Sequence, residues 1–173
     1  YLDKEITLFI NLLSGDKIDI FMIFFSNKYV WIPLYLFIIY KLYLNNNKRY
    51  LLHVSVCIIA VLISDFITSS LMKPFFERLR PCHIKDLHGV IDVVSGCGGK
   101  FGFASSHASS TFSLASIVFL ITDKKFKYLF FWSLVIGYSR IYLGVHFFTD
   151  VIVGFIVGGL TSYVLYRIFN SKL

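Results

Sequence analysis

Charge is what this sequence lacks. Only 16% of its 173 residues are Asp, Glu, Lys or Arg, with 10 acidic residues against 17 Lys and Arg. A soluble domain carries about 25% charged residues, so that class is excluded as the default. Apolar and aromatic side chains fill the gap: 57% of residues are hydrophobic, 19 are Phe and 11 are Tyr, and the mean hydropathy is +0.72. Internal repeats and low-complexity linkers are absent. So are HExxH, paired-carboxylate and Cys/His ligand patterns, and no metal or cofactor is expected. The net charge of +7 raises nucleic acid as a partner. The basic residues, however, sit at the ends of apolar segments and around one loop, not along a polar helix face. That distribution fits membrane topology plus an anion site, and no nucleic-acid partner is expected.

Apolar runs of roughly 16–23 residues predict an all-α, polytopic membrane bundle forming one domain over residues 1–173. Residues 1–27 alternate polar and apolar positions (Leu2, Ile6, Phe9, Ile10 and Leu13 against Asp3, Lys4, Glu5 and Asn11). This suits a helix lying in the interface, with the more apolar part after Gly15 dipping into the bilayer or leading into the first span. No apolar core followed by small residues marks it as a cleavable signal. Five spans follow, at residues 29–44, 50–72, 105–122, 126–143 and 147–169. Between the second and third lies a long polar loop, residues 73–103. Five spans put the turn at residues 45–49, the turn at 123–127 and the C-terminus on one side. Lys and Arg number eight there, Lys172 included, against nine opposite. Setting aside Lys73, Arg80 and Arg140 as site residues leaves a cytoplasmic majority on the C-terminal side.

The stretch from Arg140 to Asp150 carries an arginine, a histidine and an aspartate in apolar surroundings. A charge at mid-membrane costs roughly 2.5–3.5 kcal/mol even on the lenient insertion scale. His146 and Asp150 are spaced to share a helix face. The carboxylate can then hold one ring nitrogen of His146 and leave the other for a substrate. Two further clusters fall on the same membrane face: Lys73 to Arg80-Pro81, at the exit of the second span, and Ala104-Ser105-Ser106-His107, opening the third. Three cations and a helix N-terminus at one face make a phosphate site.

These three clusters resemble the signature of the type 2 phosphatidic acid phosphatase (PAP2) superfamily of membrane lipid phosphatases. The family pattern is Lys, six residues, Arg-Pro; then Pro-Ser-Gly-His; then Ser-Arg, five residues, His, three residues, Asp. Here they read Lys73…Arg80-Pro81, Ala104-Ser105-Ser106-His107 and Ser139-Arg140…His146…Asp150. All spacings fit. The departures are Ala104 for Pro and Ser106 for Gly, with Ser105 still expected to cap the helix through its hydroxyl. The resemblance implies phosphate binding by Lys73, Arg80, Ser105, Ser106 and Arg140. It also implies His146 as phosphorus nucleophile oriented by Asp150, and His107 as acid and then base. Compact bacterial members act on undecaprenyl diphosphate, phosphatidylglycerol phosphate or lipid A phosphates. A membrane lipid phosphate in the bilayer is therefore the expected substrate, reached from the periplasmic or outer face of a bacterial inner membrane. Vanadium haloperoxidases share the core motifs but are soluble.

Residues outside the motifs receive blander expectations. Arg78, Lys85 and Lys100 read as structural pairs or helix-end snorkelers, and His83 and His88 as solvated loop residues. Cys57 reads as a small buried apolar group. Asp65, inside the second span, is expected to turn toward the bundle and support the basic cluster. Cys82 and Cys97 share the long loop and form a disulfide if it is periplasmic, worth about 3 kcal/mol. The Gly154-x-x-x-Gly158 spacing fits either packing within the bundle or a dimer. Two other classes of function stay open: a transporter or flippase that binds the headgroup without releasing phosphate, and a non-catalytic lipid-binding member. Intact His107, His146 and Asp150 oppose the second. The oligomeric state is left open.

Overall fold

The computed structural model describes residues 2–45 and 48–169; Lys172 and part of the expected turn at residues 45–49 lie outside them. The chain is helical. In order come α1 (Leu2–Asn11), α2 (Asp16–Ser26), α3 (Ile32–Asn45), α4 (Tyr50–Phe76), α5 (Ser106–Ile121), α6 (Tyr128–Tyr142) and α7 (Phe148–Phe169). Helix α5 is the hub, packed against α4, α6 and α7. Its sequence explains why. Ala108, Ser109, Ser113, Ala115 and Ser116 are all buried, and small side chains let neighbouring backbones approach closely where lipid supplies no hydrophobic drive.

Helices α4 and α7 are long and apolar enough to cross a membrane unaided. Helices α2 and α3 pass that test only as a pair bent by 62°. Of the expected spans, α5 has 16 residues, about 24 Å at 1.5 Å per residue, short of a ~30 Å hydrocarbon core. It is walled by protein rather than lipid, so its length is not set by bilayer thickness. The N-terminal segment is two helices, not one. The fully buried residues of α1 are polar, Thr7 and Asn11, and the helix packs against α6 and α7. It is thus tied to the bundle.

The α5–α7 seam resolves the glycine spacing. A Cβ on Gly154 would lie 2.6 Å from the carbonyl oxygen of Ser105, and one on Gly158 would meet the carbonyl of Ser109 still more closely. Two serines then close the seam, Ser113 and Ser162, whose hydroxyls are 2.9 Å apart. The glycine stripe therefore faces inward. Gly154→Val is expected to cost about 1–3 kcal/mol by overpacking, lowering the thermal midpoint in detergent by roughly 3–10 °C. An unchanged midpoint with loss of an oligomer on sizing would instead assign the stripe to a dimer.

Candidate active site

Helix α4 ends at the polar face of the bundle. Its last turns pass through a π-helical segment, Ile67–Met72, before Lys73. Such widened turns recur at functional sites because they re-aim side chains. Here Thr68 and Ser69 both reach Ser106, at 3.2 and 2.8 Å. The Lys73 ammonium donates to the same Ser106 hydroxyl at 2.9 Å. The hydroxyl at the family's glycine position thus anchors Lys73. Ser69 also donates to Asp65 at 3.3 Å. Asp65 itself is exposed rather than turned into the bundle; its link to the basic cluster runs through Ser69 and Ser106, which face inward one turn further along α4 and at the start of α5.

After Glu77, in the left-handed region that stops α4, the chain pairs residues 78–80 with 100–102. The N–H of Arg80 donates to Lys100 and that of Gly102 to Arg78. The structure joins Cys82 to Cys97, Cα atoms 6.0 Å apart, which closes this loop behind Arg80. The buried Arg80 guanidinium donates to the carbonyls of Phe101 (3.3 Å) and Val145 (3.4 Å). The second contact sets it beside His146.

His146 lies between α6 and α7 and is 1% exposed. Its Nδ1 is 3.3 Å from Asp150 Oδ2, a long contact of the kind that tightens when substrate binds. Asp150 is fully buried. Its Oδ2 also accepts the Phe147 N–H at 3.0 Å, and its Oδ1 accepts Arg78 Nη1 at 2.8 Å. Burial, and then the charges of Arg80, Arg140 and Lys73, hold the His146 imidazole well below the usual histidine range. A shift in that direction favours the neutral ring, and the tautomer with its proton on Nδ1, facing the carboxylate, leaves a lone pair on Nε2.

Helix α5 begins at Ser105, whose N–H donates to the carbonyl of Asp150 at 2.9 Å. Contrary to the capping expectation, the Ser105 hydroxyl makes no cap bond. It is buried without a partner, as is Arg140 Nε; what Ser105 gives α7 is its backbone, the N–H to Asp150 and the carbonyl against Gly154. Unpartnered buried polar atoms in a site ask for a ligand, and the orphan N–H groups of the first turn of α5 add a favourable dipole. Arg140 Nη1 donates to Ser26 at the end of α2. Arg140, His146, Lys73 and Arg80 all lie within electrostatic reach of the half-buried His107.

The structure therefore gathers Lys73, Arg80, Ser105, Ser106, His107, Arg140, His146 and Asp150 around one site. Sequence reasoning missed three contributors. Arg78 is indeed in a structural pair, but its partner is Asp150. Gly102 is needed for close approach, since a Cβ there would sit 2.9 Å from Asp150 Oδ2. Lys100, exposed, lines a polar cavity of about 500 Å³ with Ser69, Lys73 and Arg80. His83 is half-buried rather than solvated, whereas His88 and Lys85 are exposed.

The PAP2 superfamily model matches residues 50–173. The chain belongs to that superfamily. It is 36% identical over 171 residues to a protein of Porphyromonas gingivalis described as lipid A 4'-phosphatase, covering 96% of this chain and 72% of that one. A protein of the same description from Bacteroides thetaiotaomicron is 32% identical, over 96% and 76% of the two chains. The crystal structure of Aquifex aeolicus LpxE superposes with a TM-score of 0.75 at 27% identity, over 96% of both chains. This PAP2 protein is a membrane lipid phosphatase. In it, Ser106→Gly is expected to free Lys73 and lower kcat/KM for phosphate release by about tenfold, the worth of one hydrogen bond to a charged group. An unchanged kcat/KM would show that Lys73 needs no anchor.

Proposed function

We propose that this phosphatase removes a phosphate from the disaccharide headgroup of lipid A through a phosphohistidine at His146. The observation that carries the chemistry is the neutral, buried His146 held by Asp150 among Lys73, Arg80 and Arg140. The similarity to two lipid A 4'-phosphatases over 96% of the chain supports the substrate. Residues 1–173 are read as one domain, because α1 and α2 pack on α6 and α7 instead of forming a core of their own.

Lys73, Arg80 and Arg140 neutralise the phosphate oxygens, and the Ser105 hydroxyl with the Ser106 N–H completes the cradle. His146 Nε2 attacks phosphorus and forms the N–P bond as the ester P–O bond breaks. The arriving phosphate's negative charge offsets the burial and the cations that disfavour a charged His107; His107 so protonated gives its proton to the leaving oxygen. The now neutral His107 takes a proton from water, whose oxygen attacks phosphorus; the N–P bond breaks and inorganic phosphate leaves. Asp150 keeps the proton on Nδ1 throughout and stabilises the charge that develops on the ring. Phosphoryl transfer of this kind is positioning and charge stabilisation, and cations of the chain can supply both.

Two features support a lipid substrate met at the outer face of a bacterial inner membrane. An apolar cavity of about 600 Å³ between α3, α4, α5 and α6 is lined by Tyr35, Ile38, Leu42, Val61, Leu114 and Thr111. Thr111 is one turn along α5 from His107, to whose carbonyl it donates at 2.8 Å. An acyl chain in this cavity would leave its headgroup near the cations. The Cys82–Cys97 disulfide lies on the loop that carries Arg80, and disulfides persist in oxidising compartments such as the periplasm.

The test is phosphate release from lipid A, undecaprenyl diphosphate and phosphatidylglycerol phosphate, wild type beside His146→Ala. Lipid A is expected to be the preferred substrate by kcat/KM, with a loss of at least about 10³-fold on substitution and no loss with EDTA. Release that survives His146→Ala would overturn the covalent route. Preference for another lipid would overturn the substrate, and no release from any of them would favour a binding protein.

A further inference from the structure

The catalytic carboxylate is held from an unexpected direction. Asp150 Oδ1 receives one arm of the Arg78 fork, and the same Nη1 donates to Thr149 Oγ1 at 2.7 Å. The other arm, Nη2, lies 2.5 Å from Asp3 Oδ2 on α1. Asp3 also accepts the Thr149 hydroxyl on Oδ2 at 2.7 Å and the Thr149 N–H on Oδ1 at 2.8 Å. One turn further along α1, Thr7 donates to the Asp3 carbonyl at 2.7 Å and accepts the Phe148 N–H at 3.0 Å. The first two N–H groups of α7 are thus capped by α1, a helix 140 residues away in sequence and outside the residues matched by the family model.

We propose that Asp3 is a positioning residue for the phosphatase reaction, acting through Arg78 and Thr149 to hold Asp150 against His146. The inference rests on the reading of His146 and Asp150 given above. Its physical content is geometric and electrostatic. An N-terminal helix residue is free to rotate until its orphan donors are satisfied; here Asp3 and Thr7 fix the turn that carries Asp150. Arg78 is a planar fork with one arm for each carboxylate. Shared with Asp3, it steadies Asp150 without drawing all of that carboxylate's charge away from the His146 ring. The guanidinium is also laid over the Phe147 ring, 4.2 Å from its centroid, so the fork has little freedom to follow Asp150 if Asp3 is lost. Burial alone would raise the Asp3 carboxyl, but hydrogen bonds from Arg78 and Thr149 bring it below its ordinary value, so it stays ionised for this task.

Asp3→Ala and the isosteric Asp3→Asn, made in the full chain, are expected to lower kcat by about 10- to 100-fold, the usual effect of removing a group that orients a catalytic histidine's partner. KM should stay within about twofold, because no phosphate-binding cation is touched. Asp3→Glu should restore part of kcat. In an Arg78→Lys background, which keeps the charge and loses the fork, Asp3→Asn should cost less than in wild type, since only its bonds to Thr149 remain to be lost and residues acting as one unit are not additive. A kcat per folded enzyme within twofold of wild type in Asp3→Asn would overturn the inference, as would a full additional loss in the Arg78→Lys background. His146→Ala in the same assay separates the two readings. If that variant is inactive while Asp3→Asn is normal, only the positioning role fails. If it stays active, the functional reading fails first.

Discussion

A carboxylate with no solvent exposure in an apolar bundle persists only if donors surround it, because an unpaired buried charge costs several kcal/mol. Asp150 is that group. Its side chain collects Arg78, the Phe147 N–H and the His146 ring, while its backbone carbonyl takes the N–H of Ser105. The donors come from three different parts of the chain: the loop after α4, the linker before α7, and the start of α5. Satisfying Asp150 therefore assembles the three motif-bearing segments at one end of the bundle. The close α5–α7 seam at Gly154 and Gly158 makes that possible, since it lets the backbone of α5 reach the first turn of α7.

The same end of the bundle holds more positive than negative charge. Lys73, Arg80 and Arg140 are turned toward one space, whereas Arg78 is committed to Asp3 and Asp150. Three cations brought together repel one another unless an anion joins them, and each has been anchored by neutral oxygen acceptors instead: Ser106 for Lys73, main-chain carbonyls for Arg80, and Ser26 for Arg140. Neutral acceptors fix geometry without cancelling charge. A phosphate arriving there meets preorganised donors and gains their full attraction, which is the condition for electrostatic catalysis.

How much of this was legible in the sequence follows from the range of each interaction. The helices were, because hydropathy is a local property, and their ends fall within a few residues of the expected spans. The three motifs come together in the structure because they sit at helix ends that meet at one end of the bundle. What failed was anything decided by a contact between distant segments. The hydroxyl of Ser105 is expected to cap α5, but it makes no cap bond, and the residue's backbone is tied to the first turn of α7 instead. Ser106 reads as a departure from the family's glycine; the π-segment in α4, which no pattern announces, brings Thr68, Ser69 and Lys73 onto its hydroxyl. Asp3 read as one polar position on an amphipathic helix, and nothing in its neighbours reveals that Arg78 and Thr149 lie against it.

That last failure bears on how the fold divides its labour. Motif residues must touch the phosphate, so their identities are tightly constrained by chemistry and their spacing by helix geometry. Residues that orient them need only deliver a hydrogen bond from some direction, and many folds of the same core can supply it differently. In this chain the direction is α1, whose Asn11 also clamps the long loop to the end of α6 by bonding Asp92 on both N–H and carbonyl and the carbonyl of Tyr142. One short amphipathic helix thus braces both linkers that flank the site, the loop carrying Arg80 and the turn carrying His146. An interfacial helix that did only membrane binding would have no reason to bury Thr7 and Asn11 while exposing Leu2 and Phe9. Its apolar side is left exposed while its polar side holds the catalytic end of the bundle, through the same ten residues.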